Sequence, residues 1–165
     1  MNSGNKAIFW KRLSEIRAGM LIPDGADPRP MAHAVRSEDN ALWFLTDKAS
    51  DVAEAANRRA NARHVVSSPD AKLYATIDGQ LSVETSRDKL DDIWTPMATA
   101  WFEGGRDDDR VCLVAFRPTR AEIWATKGTT QSLYQFAMAN LTAGSPDLGE
   151  HEILEFQASD PAYPA

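Results

Sequence analysis

Leu73-Tyr74-Ala75-Thr76-Ile77-Asp78-Gly79-Gln80-Leu81-Ser82-Val83-Glu84 alternates apolar and polar side chains with a period of two, interrupted only at Gly79. Successive side chains of an extended chain point to opposite faces, so this stretch reads as a long strand with one buried and one wet face. A glycine inside such a strand marks a bend or bulge of the kind barrels use to turn a corner. The fold is therefore expected to be a small, curved antiparallel sheet, and the flanking segments are read as candidates for pairing with it.

Working outward, residues 62–67 read as a strand joined to the first through the turn Ser68-Pro69-Asp70. Ala41-Leu42-Trp43-Phe44-Leu45-Thr46 and residues 29–35 read as paired strands around the polar stretch Arg36-Ser37-Glu38-Asp39-Asn40. Met20-Leu21-Ile22 is a short strand stopped by the turn formers between Pro23 and Pro28. On the far side, Val111-Cys112-Leu113-Val114-Ala115-Phe116 and residues 121–126 are two strands about a turn at Arg117-Pro118-Thr119-Arg120.

Helices fill the gaps. Phe9, Leu13 and Ile16 recur at helical spacing within residues 6–18, with Gly19 placed to end the helix. Asp47-Lys48-Ala49-Ser50-Asp51 carries N-cap chemistry before the stripe Val52, Ala53, Ala56 and Ala60. A third helix starts at Thr85-Ser86-Arg87-Asp88 and runs into Pro96, so residues 94–102 read as two short helical turns. Leu133, Phe136, Ala137 and Leu141 support a last helix before a tail. The strands outnumber the helices, which gives a mainly β (α+β) chain: an antiparallel barrel with peripheral helices.

Composition limits the function. A chain of 165 residues with 43% hydrophobic and 25% charged side chains is ordinary for one globular domain. Its net charge of -6, with no Lys/Arg block, lacks the electrostatic footprint that nucleic acid requires. The first residues, Met1 to Lys6, do not open a hydrophobic signal core, and no window approaches ~18 consecutive apolar residues. No membrane partner and a cytoplasmic location are the expectation. Cys112, the single cysteine, lies in an apolar run and reads as a buried core thiol.

Nucleotide-binding glycine loops, the nucleophile elbow and the C-x-x-C pair are all missing. His33, His64 and His151 lack metal-ligand spacing, and Asp107-Asp108-Asp109 reads as a solvated loop, so no metal is expected. Two groupings remain. Thr46, Lys48 and Ser50 bring hydroxyls and a cation to a helix start, and Arg29 on the neighbouring strand adds a second cation; this suits a phosphate group, or it is an ordinary N-cap. Trp94, Trp101 and Phe102 cluster about Pro96 and Gly104-Gly105, and serve either core packing or a planar ligand with polar edges.

Taken in order, Arg29-Pro30-Met31-Ala32, Leu42-Trp43-Phe44-Leu45-Thr46, Leu73 to Gly79, Trp94-Thr95-Pro96, Ala100 to Gly105 and Ala121-Glu122-Ile123-Trp124 resemble the landmarks of a known family. It is the general stress protein branch of the pyridoxamine 5'-phosphate oxidase-like FMN-binding split barrels. Asp147-Leu148-Gly149-Glu150 is similar to the end of many members. The resemblance implies a six-stranded antiparallel split barrel over residues 1–143 with a tail at 144–165, a homodimer, and FMN held between the subunits. It places Arg29 at the phosphate, with Lys48 and Ser50 completing that pocket. The backbone around Pro30, Met31 and Ala32 and around Phe44, Leu45 and Thr46 would face the ring, and Trp94, Trp101 and Phe102 would lie near the groove, from the partner subunit. It names no catalytic acid or base.

Many members carry a lysine where this chain has Asp51, which leaves Arg29, Lys48 and Ser50 to hold the phosphate. One lost charge-assisted contact costs ~1.5 to 3 kcal/mol, or about one to two decades of affinity. The chemistry implied is that of an FMN-dependent oxidoreductase linked to stress. A barrel holding a deazaflavin, or a cofactor-free dimer in which the aromatics serve only the interface, are the alternatives.

Overall fold

The computed structural model describes residues 3–125 and 150–163. The deciding stretch is strand β6 (Leu73–Glu84), in which Leu73, Ala75, Ile77, Gly79 and Leu81 are buried and the residues between them are more exposed. On one side β6 pairs antiparallel with β5 (Asn61–Ser68), from Ser68↔Leu73 to Asn61↔Gln80. On the other it pairs with β7 (Val111–Ala125), and the register shifts between Asp78 and Gly79. The glycine is required there: a Cβ would stand 2.4 Å from the Arg117 carbonyl oxygen. The bulge expected at Gly79 is present.

Residues 111–125 form one strand, where the sequence suggests two about a turn. Pro118 is tolerated because of where β7 changes partners. Its outer edge meets β4 (Ala41–Asp47) up to Leu42↔Phe116 and β8 (Glu150–Glu155) from Arg120↔Glu155. Pro118 lies in the interval between, opposite Gly79 of β6. β8 and the chain after it lie in the stretch read from the sequence as a tail; Leu154, Phe156 and Tyr163 are buried in the main core.

A second correction concerns residues 29–35. They form β2 (Arg29–Ala32) and β3 (Ala34–Arg36), divided at His33. β2 pairs with β1 (Ala18–Pro23), and β3 pairs with β4. The strand order is β2-β1-β5-β6-β7-β4-β3, with β8 added on β7. The two ends of this order are thus consecutive in the chain with one residue between them. Consecutive Cα atoms are ~3.8 Å apart, so the sheet has to curl until its edges meet at His33. The result is a mainly-β split barrel, with eight strands among the described residues where six are expected from the resemblance.

Helix α1 (Ser3–Ser14) stops earlier than its apolar spacing suggests, and Gly19 belongs to β1 and not to a helix cap. α1 buries Phe9, Trp10 and Leu13, and the Phe9 and Trp10 rings meet Phe156 at 5.5 and 5.8 Å between centroids. Lys6 is buried beside them and reaches Asp160 at 2.6 Å. Helix α2 (Asp51–Asn57) packs on β6, and α3 (Arg87–Ile93) covers the outer face of β4 and β7 through Ile93. Leu42 and Phe44 of β4 face the main core, whereas Ala41 and Trp43 face the cluster under α3. Burial on both faces explains the unbroken apolar runs of β4 and the start of β7. Residues 133–141, read from the sequence as a last helix, lie outside the described residues. Among the described residues no helix is long and apolar enough to cross a membrane.

Candidate functional site

Beyond His33 the barrel does not close. β3 ends its pairing with β4 at Ala34↔Trp43, so Phe44, Leu45, Thr46 and Asp47 are paired only with β7 among the described residues. In an antiparallel ladder every second residue turns its N–H and C=O away from a given neighbour, so this half of β4 offers unpaired backbone groups. β2 lies against β4 across this opening and, among the described residues, is itself laddered only to β1. Arg29, Pro30 and Ala32 are exposed on β2, and Met31 is half-buried against the core. Among the described residues, the split thus runs between two free backbone edges, β2 and the end of β4.

The mouth of the split is polar. Ser50 caps α2 by accepting the Ala53 N–H at 3.1 Å, and its hydroxyl lies 2.8 Å from that of Thr46. Arg29 reaches from β2 to α2, where its Nη2 meets Asp51 Oδ2 at 2.9 Å with both side chains 52% exposed. The structure therefore brings Arg29, Thr46 and Ser50 to one end of the split, with Asp51 among them. Lys48 is exposed in the turn between β4 and α2, and its N–H donates to the Arg110 carbonyl at 2.8 Å. Sequence reasoning did not single out Asp27, Glu54 and Arg58, which line an open hollow of about 370 Å³ beside Asp51. Its walls are carboxylates and a guanidinium, so it suits water and ions better than an aromatic ring.

The aromatic residues separate into two kinds. Phe44 is fully buried, with its ring edge-on to His64 at 5.3 Å and to Phe116 at 6.4 Å, so only its backbone can face the split. Trp94 and Phe102 pack on each other at 6.2 Å, and the Arg110 guanidinium lies 6.0 Å from the Phe102 ring. Phe102 is buried, whereas Met97 and Trp101 are 74% and 78% exposed. Trp94 and Phe102 thus form a cluster of their own, and Trp101 stands clear of it in solvent.

Inside the barrel, His33 Nδ1 lies 2.9 Å from His64 Nε2. Gly19 makes room for this contact, since a Cβ there would stand 2.7 Å from that same His64 nitrogen. Both histidines are held below the ordinary value of 6.5 by burial; His64 is pushed down to about 3, with the like charge of His33 adding to the effect. The carbonyls of Leu13 and Ile16 partly offset the shift at His33. Cys112, buried at Thr46↔Cys112, has its thiol pushed up by burial and so resists ionisation. Among the described residues no group of three or more His, Cys, Asp or Glu is placed to hold a metal ion.

A phosphorylated planar cofactor fits this arrangement in most respects. Arg29 and Lys48 are accessible cations, Ser50 offers a hydroxyl, and the free edges of β2 and β4 offer N–H and C=O groups to polar ring edges. Asp51 is the opposing charge nearest Arg29, and Asp27 and Glu54 lie in the hollow beside it.

A split barrel with a polar mouth between an edge strand and a helix start is the class of protein that fold and site define. The chain belongs to the pyridoxamine 5'-phosphate oxidase-like family, whose model matches residues 5–147. Among solved structures it is similar to a protein of Jannaschia sp. CCS1 assigned as general stress protein 26, with 38% identity, TM-score 0.79, and coverage of 93% of this chain and 99% of that one. It is also similar to a general stress family protein of Xanthomonas campestris pv. campestris, at 28% identity and TM-score 0.66, over 78% of this chain and 92% of that one. The general stress FMN/FAD binding protein of Xanthomonas citri matches at 29% identity and TM-score 0.67, over 74% of this chain and 89% of that one. No curated protein matches.

Proposed function

We propose that the chain binds FMN in the split between β2 and β4, as a homodimer, and serves as a flavin-dependent oxidoreductase of the general stress type. The observation that carries this reading is the split itself: two free backbone edges ending at Arg29, Thr46 and Ser50. Membership of the family and likeness to the Xanthomonas citri FMN/FAD binding protein support a flavin as the ligand.

In this reading the backbone of Met31 and Ala32 and of Phe44, Leu45 and Thr46 orients the ring system, while Arg29, Lys48 and Ser50 hold the phosphate. The exposed Met97 and Trp101 give a subunit an apolar surface that a second copy covers, and with Trp94 and Phe102 they exclude water from the partner's flavin. A bound flavin would supply the electron and hydride chemistry, and the protein supplies position and electrostatics.

Purification without added cofactor, followed by a visible spectrum and an FMN titration, tests the reading. Flavin absorbance bands, or saturable quenching of FMN fluorescence, are expected. A colourless protein that leaves FMN fluorescence unchanged overturns the proposal. Sedimentation of the same sample is expected to give twice the chain mass.

A further inference from the structure

We infer that Asp51 cancels the affinity this chain would otherwise gain from a flavin's terminal phosphate monoester, so that riboflavin binds about as tightly as FMN. The inference rests on the flavin reading above and names the form of ligand that the same site takes.

The placement of one carboxylate carries it. Asp51 Oδ2 lies 2.9 Å from Arg29 Nη2, so the Arg29 guanidinium at the mouth of the split already has a carboxylate partner within the protein. A phosphate that meets the same guanidinium comes within a few ångströms of Asp51, well inside the ~8 Å over which salt leaves charges coupled. A phosphate monoester carries about -1.5 to -2 charges at pH 7, so the repulsion acts on nearly two charges at once. Riboflavin presents a neutral hydroxyl at that position and meets no such repulsion. It still has the ring-facing edges of β2 and β4.

The neighbourhood does not compensate. Asp27, Asp51 and Glu54 line the adjacent hollow against the single cation Arg58, whose Nη2 is engaged with the Asp24 carbonyl at 2.7 Å. The Ser50 hydroxyl is shared between Thr46 and the Ala53 N–H. Lys48 is a further exposed cation near the helix start. A chain that binds the ring but spends its arginine on its own aspartate gains little from a phosphate.

Parallel fluorescence titrations of wild type, Asp51→Asn and Glu54→Gln with riboflavin and FMN test this. Wild type is expected to hold the two ligands within about threefold of each other, and Asp51→Asn to tighten FMN by about tenfold or more with riboflavin unchanged. Glu54→Gln removes a carboxylate from the same hollow and is expected to move either affinity by less than about threefold. Circular dichroism checks that each variant folds, and Asp51→Ser replaces any Asp51→Asn protein that does not. FMN binding more than about thirtyfold tighter than riboflavin in wild type, or FMN affinity indifferent to loss of the Asp51 carboxylate, overturns the inference and leaves flavin binding intact. If neither ligand binds wild type or variant, the flavin reading fails and this inference falls with it.

Discussion

The β6–β7 ribbon and the seam at His33 close the same barrel by different means. β6 and β7 are laddered from Leu73↔Ala125 to Glu84↔Leu113, so their union is spread over a long run of backbone hydrogen bonds. At the seam a single residue joins β2 to β3; its N–H donates to the Arg17 carbonyl at 3.1 Å, and its half-buried ring meets the buried His64 imidazole at 2.9 Å. Each place depends on a glycine for close approach: Gly79 beneath the Arg117 carbonyl, and Gly19 beneath the His64 ring. The difference separates their sensitivities. The ribbon responds chiefly to sterics, because its ladder bonds are backbone to backbone, whereas the seam responds to protons.

The largest effect is expected in the ribbon. In Gly79→Ala the new methyl would stand 2.4 Å from the Arg117 carbonyl oxygen and 2.9 Å from the Phe116 ring. The backbone oxygen has no rotamer by which to retreat, so the strands must separate or the bulge must move. A loss of about 3 kcal/mol, at the upper end for overpacking, is expected from urea unfolding. A loss below about 1 kcal/mol would mean that the register shift is soft and that the ribbon is not the stiffer region.

A smaller effect, of a different kind, is expected at the seam. His64 titrates at an ordinary 6.5 when exposed by unfolding and at about 3 inside the barrel, so between these values the unfolded chain binds more protons. Stability contributed by the neutral ring is present in full above pH 6.5 and is lost as pH falls from there towards 3. The limiting slope for one such group is about 1.4 kcal/mol per pH unit, or about 2 kcal/mol between pH 6.5 and pH 5. One ring must donate and the other accept in the 2.9 Å contact, so a doubly protonated pair cannot keep it. In the double variant His33→Asn/His64→Phe this part of the acid slope should vanish from unfolding curves taken at pH 7 and pH 5. An unchanged slope would transfer the acid sensitivity to other groups.

The same contrast governs what could be read from the sequence. β6 was legible because one of its faces is wetter than the other, which writes the strand period into the side chains, and Gly79 announced the bulge. β7 was not, because Pro118 carries the local signature of a turn; only its position between two partner strands makes it harmless. The break at His33 left no local trace either, since it is an exchange of partners, from β1 to β4, within a stretch that stays extended. At the candidate site, Ser50 was legible as a cap and Arg29 as a cation on a strand near β4. The Arg29–Asp51 pair was not, because it joins residues 22 apart through the curl of the barrel. Phe44 shows the remaining gap: alternation on a strand buried on both faces does not say which side chain enters the core and which backbone lines the split.

The smallest expected effect lies between the two regions, on the edge strand that the seam holds. Arg29 meets Asp51 as an ion pair with both side chains 52% exposed, and such pairs contribute about 0 to 1 kcal/mol. Arg29→Ala should therefore leave the unfolding midpoint nearly unchanged. The same variant frees the Asp51 carboxylate, so FMN should weaken more than riboflavin, and a measurement of both separates anion binding from architecture. A stability loss above about 2 kcal/mol would show instead that the pair holds β2 to α2 and that the seam has a second fastening at its open end. In that event the imidazole contact would not be the seam's only side-chain fastening.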